Sequence, residues 1–210
     1  MAFTDFKSAD QVQRAYQIKY VESNFLMMNP VTPSQNFIEE YEFSKANFDI
    51  FSSEASRCEN VIYPLLRDVC KKFVRDYLLW SHKSITADTK LSGTPGYIIA
   101  KRSDLGKNVL EYPLVLIAEA KQSNFIQGWG QCLAELVAAQ ILNNNTENAV
   151  YGCVTDAELW QFGKLEGRLF TRNQASVTID DLEKVVGALH EIVELSISSQ
   201  KSTGADESEN

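Results

Sequence analysis

Only two histidines, His82 and His190, stand among 210 residues, and the four cysteines, Cys58, Cys70, Cys132 and Cys153, show no C-x-x-C spacing. That argues against a structural zinc site and leaves little material for a Ser-His or Cys-His nucleophile, so any hydrolysis would use water. The cysteines sit in apolar contexts and read as buried thiols of a reducing compartment. Ten glycines and five prolines are too few for collagen-like or low-complexity structure. The longest apolar runs, such as Leu114 to Ala118, fall far short of the roughly 18 to 20 residues a membrane span needs. The start Met-Ala-Phe-Thr-Asp has no basic stretch leading into an apolar core. The expectation is a cytoplasmic protein with no membrane partner.

What remains is one ordinary globular domain, 44% hydrophobic, placed at 1–198 with its core near 53–155. Residues 199–210 are polar, with a net charge of −2, and read as a disordered acidic tail. The 28 acidic groups outnumber the 20 basic ones, giving −8 overall, but residues 57–102 hold nine basic against four acidic groups. Arg67, Lys71, Lys72 and Arg75 therefore form either a solvated helix face or a phosphate-facing patch.

Along the chain, Ser8-Ala-Asp-Gln11 reads as a capping box opening a helix, and Asn29-Pro-Val-Thr-Pro33 closes that region. Phe37, Tyr41 and Phe48 suggest a second helix. A third stripe, Val61, Leu65, Leu66, Val69, Phe73 and Tyr77, runs toward Trp80, with Pro64 starting or kinking it. Three strands are expected at Ser84 to Leu91, Tyr97 to Lys101 and Leu114 to Ala120, the last apolar on both faces like a central strand. Trp129, Leu133, Val137 and Ile141 mark a helix at i, i+4 spacing. Ala149 to Val154 reads as a strand and Glu158 to Phe170 as a hairpin turning at Glu166-Gly167. Leu182 to Val193 makes a last helix behind Thr178. The order implies an α/β fold with a mixed sheet and extra N-terminal helices.

Glu119-Ala120-Lys121 ends the third strand, and strand alternation puts Glu119 and Lys121 on one face. A carboxylate beside an ammonium can hold a hard divalent cation while the lysine orients water, as metal-assisted phosphodiester hydrolysis requires. Together with Gly93-Thr94-Pro95-Gly96 before the second strand and Gln127-Gly-Trp-Gly-Gln131 opening a helix, this arrangement resembles the PD-(D/E)XK nuclease superfamily over roughly Ser53 to Thr155. It is more loosely similar to small bacterial proteins carrying a segment like Val154-Thr-Asp-Ala-Glu-Leu-Trp-Gln-Phe162.

The resemblance implies a restriction-endonuclease-like αβββαβ core followed by a hairpin and helix. It implies Glu119 as metal-binding carboxylate, the Ala120 carbonyl as a second ligand, Lys121 as catalytic lysine and Gln131 as the helix residue contacting the site. Glu59 takes the place of an auxiliary acid, although Ser56-Arg-Cys-Glu59 is equally a capping box. Mg²⁺ or Mn²⁺ is the implied cofactor and DNA the implied partner; homodimers are common in the superfamily. One position departs from the pattern: the superfamily's aspartate after proline falls at Gly96, which supplies no ligand. The expected reaction, Mg²⁺-dependent hydrolysis of DNA, is therefore weak or lost. The alternatives are a nuclease that rebuilt its metal site and a noncatalytic module binding protein or DNA.

Overall fold

The middle strands are buried on both faces, and their side chains sort into two core clusters, one on each side of the sheet. The computed structural model describes residues 2–121 and 124–206. Tyr97, Ile99, Val115, Ala118 and Cys153 face one cluster, while Ile98, Ala100, Leu114, Ile117 and Val154 face the other. A sheet buried on both faces needs helices on both. The order is α1 (Ala9–Tyr16), β1 (Lys19–Ser23), α2 (Gln35–Asn47), α3 (Glu54–Arg57), α4 (Tyr63–Phe73), β2 (Tyr77–Ser81), β3 (Ile85–Thr86), β4 (Ser92–Gly93), β5 (Tyr97–Arg102) and β6 (Leu110–Ala120). Then follow α5 (Phe125–Leu142), β7 (Val150–Thr155), β8 (Leu159–Glu166), β9 (Leu169–Asn173), β10 (Val177–Thr178) and α6 (Leu182–Asp206). The main sheet runs β1-β9-β8-β7-β6-β5-β2, with β10 added to β8. Within it, β6–β7 and β1–β9 are parallel and the other pairs antiparallel.

The series α4, β2, β5, β6, α5, β7 gives the expected αβββαβ order within a mixed α/β fold, with helices before it and a hairpin and helix after it. Its first strand lies elsewhere than the sequence suggests. Tyr77–Ser81, read as the end of a helix, is the edge strand paired with β5. Ser84 to Leu91 is instead mostly a loop in which the Asp88 carboxylate accepts the Lys90 and Leu91 amides at 2.6 and 2.8 Å, joining the short β3–β4 ribbon. Ile85 and Leu91 dock into the core, so the apolar alternation is real although the backbone turns between them.

A five-residue π turn, Cys58–Ile62, joins α3 to α4 immediately before Pro64. Proline has no amide to donate and crowds the carbonyl four residues back; the wider turn, with Tyr63 N–H bonded to Cys58 O, accommodates it. Ser53 caps this helix through the Ser56 amide, so Ser56 to Glu59 is helix interior rather than a capping box. At α1, Ser8 stands at the cap, but the Gln11 side chain accepts from Lys7 N–H, one residue off the expected box. Strand β1 was not anticipated; all five of its residues are exposed. Helix α6 continues to Asp206, past Ser199, where the sequence suggests a disordered tail; 207–210 lie outside the described residues. No helix among the described residues is long and apolar enough to cross a membrane.

Glycines set how closely α5 lies on the sheet. A side chain on Gly152 or Gly163 would collide with Cys132 or the Trp129 ring, so both strands yield their space to α5. Gly128 and Gly130 do the same on the helix, toward Lys121 with Val154 and toward the Ser8 backbone respectively.

Candidate active site

Strand β6 delivers Glu119 and Lys121 to one side of the sheet, as the alternation requires. Lys121 Nζ lies 2.8 Å from Glu119 Oε1. The other carboxylate oxygen, Oε2, accepts the Gly96 N–H at 3.2 Å. Glu119 is 4% exposed, whereas the Lys121 side chain keeps 20% of its surface in solvent. Burial pushes the Glu119 carboxyl up, and the Lys121 ammonium partly offsets this. Burial is the largest influence on Lys121 and would lower it, but the charge and hydrogen bond of Glu119, together with the charges of Glu54 and Glu135, hold the ammonium above its ordinary value.

Gly96 lies opposite Glu119. A Cβ built on it would sit 3.7 Å from Glu119 Oε2 and from the Ala120 nitrogen, and 3.0 Å from the Ala118 carbonyl oxygen. A side chain here would therefore start beside the Glu119 carboxylate. Lys121 N–H bonds Thr155 O on β7, so strand alternation turns the Ala120 backbone the other way, toward Gly96.

Helix α5 covers the same spot. Gly128, Gln131 and Glu135 recur at i, i+3 and i+7, one stripe of the helix, and the Lys121 stem lies against Gly128. Gln131, expected at the site, is 4% exposed and donates Nε2–H to Glu135 Oε1 at 3.2 Å. Glu135 is fully buried, and burial first, then the Glu119 charge, pushes its carboxyl well above the usual carboxylate range. Gln131 Oε1 and Glu135 Oε2 are buried without a hydrogen-bond partner among the described residues. Sequence reasoning missed Glu135. The available signal was its place as the lone charged residue between Asn124 and Asn143.

Two other expectations separate from this cluster. Glu59 is exposed and lines a groove of about 560 Å³ with Asn36, Glu40 and Arg67; the first-helix acid acting on both Glu119 and Lys121 is Glu54. In the basic segment, Lys71 pairs with Asp68 at 2.9 Å and Lys72 with Glu194 at 3.0 Å, and Arg67 lies over the Tyr63 ring. Much of the local excess charge is thus spent within the fold.

Among the described residues, no three His, Cys, Asp or Glu side chains gather as a metal cage. The donors present are hard oxygens, the kind that Mg²⁺ and Mn²⁺ take. Orphaned buried acceptors beside Glu119 fit a cation better than another acceptor.

No family model matches this chain, and no curated protein matches it in sequence. Among solved structures, it is similar to the type IIG restriction endonuclease BpuSI at 15% identity and a TM-score of 0.46, over 72% of this chain. The match spans 17% of that enzyme's chain.

Proposed function

We propose that this chain is a nuclease-like protein of PD-(D/E)XK type that hydrolyses DNA phosphodiesters with Mg²⁺ or Mn²⁺, weakly because Gly96 supplies no carboxylate. One observation carries the reading: Glu119, Lys121, Gly96 and the Gly128 turn of α5 converge at one strand end. Glu119 and the Ala120 carbonyl would hold the cation. The bound ion supplies Lewis acidity and a lowered pKa for a water. The Gly96 N–H fixes the carboxylate's orientation, and Lys121, the solvent-reaching member, meets the phosphate or orients the attacking water. Gln131 and Glu135, hydrogen-bonded to each other on α5, line the same side of the sheet.

A noncatalytic binding module is the second reading. It is favoured by the internal donors already occupying both Glu119 oxygens. Incubating plasmid and single-stranded DNA with the protein and each metal separates the two. Metal-dependent cleavage is expected to fall by about a hundredfold in Lys121→Met, the scale on which positioned proton-transfer groups act, and to rise in Gly96→Asp. If neither the parent nor a folded Gly96→Asp variant cleaves, the module reading takes over.

A further inference from the structure

We infer that Glu135 and Gln131 are divalent-cation ligands of this site, supplying from α5 the oxygens that Gly96, just before β5, does not supply. The inference rests on the nuclease reading for the nature of the ion, but its evidence is separate. A carboxylate out of water costs several kcal/mol unless a cation or hydrogen bonds compensate it. Glu135 is 0% exposed and has the Gln131 amide on one oxygen only. The nearby ammonium of Lys121 is engaged with Glu119 at 2.8 Å. Gln131 turns its donor to Glu135, which leaves its own carbonyl oxygen as bare as Glu135 Oε2. Two unpartnered acceptors on neighbouring side chains ask for positive charge, and flipping the amide would exchange one orphan for another.

Placement agrees. Gly128 of the Gly128-Gln131-Glu135 stripe packs against Lys121 and Val154, and the charges of both Glu119 and Lys121 bear on the buried Glu135 carboxyl. With the Glu119 carboxylate and the Ala120 carbonyl, the set is two carboxylates, one amide oxygen and one main-chain oxygen, suited to Mg²⁺ or Mn²⁺ rather than to a thiophilic metal. The competing account makes Glu135 a protonated core acid, which predicts metal affinity indifferent to residue 135.

Calorimetric titration of the full chain with MnCl2 and MgCl2, paired with thermal unfolding, decides between them. The parent is expected to bind one ion and to unfold at a higher temperature with it. Glu135→Gln should weaken binding at least about tenfold, the loss already typical for residues that merely support a metal ligand, and should abolish the metal-induced rise in Tm. Gln131→Met should weaken binding in the same direction, and it carries the test should Glu135→Gln fold poorly. Lys121→Met should keep the ion while losing cleavage. A parent that binds neither metal, or folded variants that bind as the parent does, overturns the inference. Binding that depends on residue 135 without any DNA cleavage upholds it and removes the nuclease reading instead.

Discussion

Asp68 joins two elements with one carboxylate. It accepts the Ser34 N–H at 2.8 Å and the Ser34 hydroxyl at the start of α2, and it pairs with Lys71 at 2.9 Å within α4. Burial alone would raise its pKa; the Ser34 bonds and Lys71 outweigh that and hold it below the ordinary 3.8. A depressed folded pKa contributes stability that is present above the unfolded value and is lost as pH falls through the folded one. Asp68→Asn should cost about 1.5 to 3 kcal/mol near neutrality, the range for hydrogen bonds to a charged group. Urea unfolding of both proteins should show that gap narrowing below about pH 4; a constant gap would assign the effect to packing. This residue also explains why the basic segment misleads: counting charge along a helix does not reveal that an acid three residues away takes Lys71. Glu119 and Lys121 were legible because strand alternation is a local rule. Glu135 was not, since its meaning depends on which face of a wholly buried helix meets β6.

Helix α5 shows the same contrast at the next scale. Its i, i+4 apolar spacing located it, yet Ile141 is exposed while Gly128 through Gln140 are buried all round, because β6, β7 and the N-terminal segment cover it on several sides. Gly130 marks that third contact. A Cβ there would come within 2.5 Å of the Ser8 nitrogen, and backbone does not yield as a flexible side chain does. Gly130→Ala should destabilise the protein by about 1 to 3 kcal/mol, as overpacking does. Hydrogen exchange should show protection lost in the segment before Ala9 and retained in β6 and β7; uniform loss would mean the segment is no separable cover. Strand β2 failed to appear in the sequence reading for a related reason. Tyr77 continues the α4 stripe in register, and only its pairing with Lys101 decides that the chain is extended there.

For the molecule as a whole, the sheet is closed at one edge by residues far apart in the chain: Lys19 pairs with Leu169, and Ser23 with Asn173. The core between Ser53 and Thr155 could be recognised because its elements follow one another; β1 could not, since nothing in Lys-Tyr-Val-Glu-Ser names a partner. A chain ending at Thr155 lacks β8, β9 and α6, leaving Leu65, Val69 and Ile99 without the Val185, Leu189 and Ile192 side of their cluster. Such a fragment should show no cooperative unfolding transition by circular dichroism, and a sharp one would make the C-terminal quarter an accessory.

That edge also has a history in time. During synthesis at ~5 to 20 residues per second, β1 waits about 8 to 30 seconds for a partner 150 positions downstream, and closing a loop that long costs on the order of 4 kcal/mol in chain entropy. Throughout that interval the strand is a bare template to which any neighbouring extended chain could add. Lys19 and Glu22 place opposite charges on its two faces, the kind of residue that discourages such pairing, so the composition of this short strand guards the nascent chain as much as it serves the finished one.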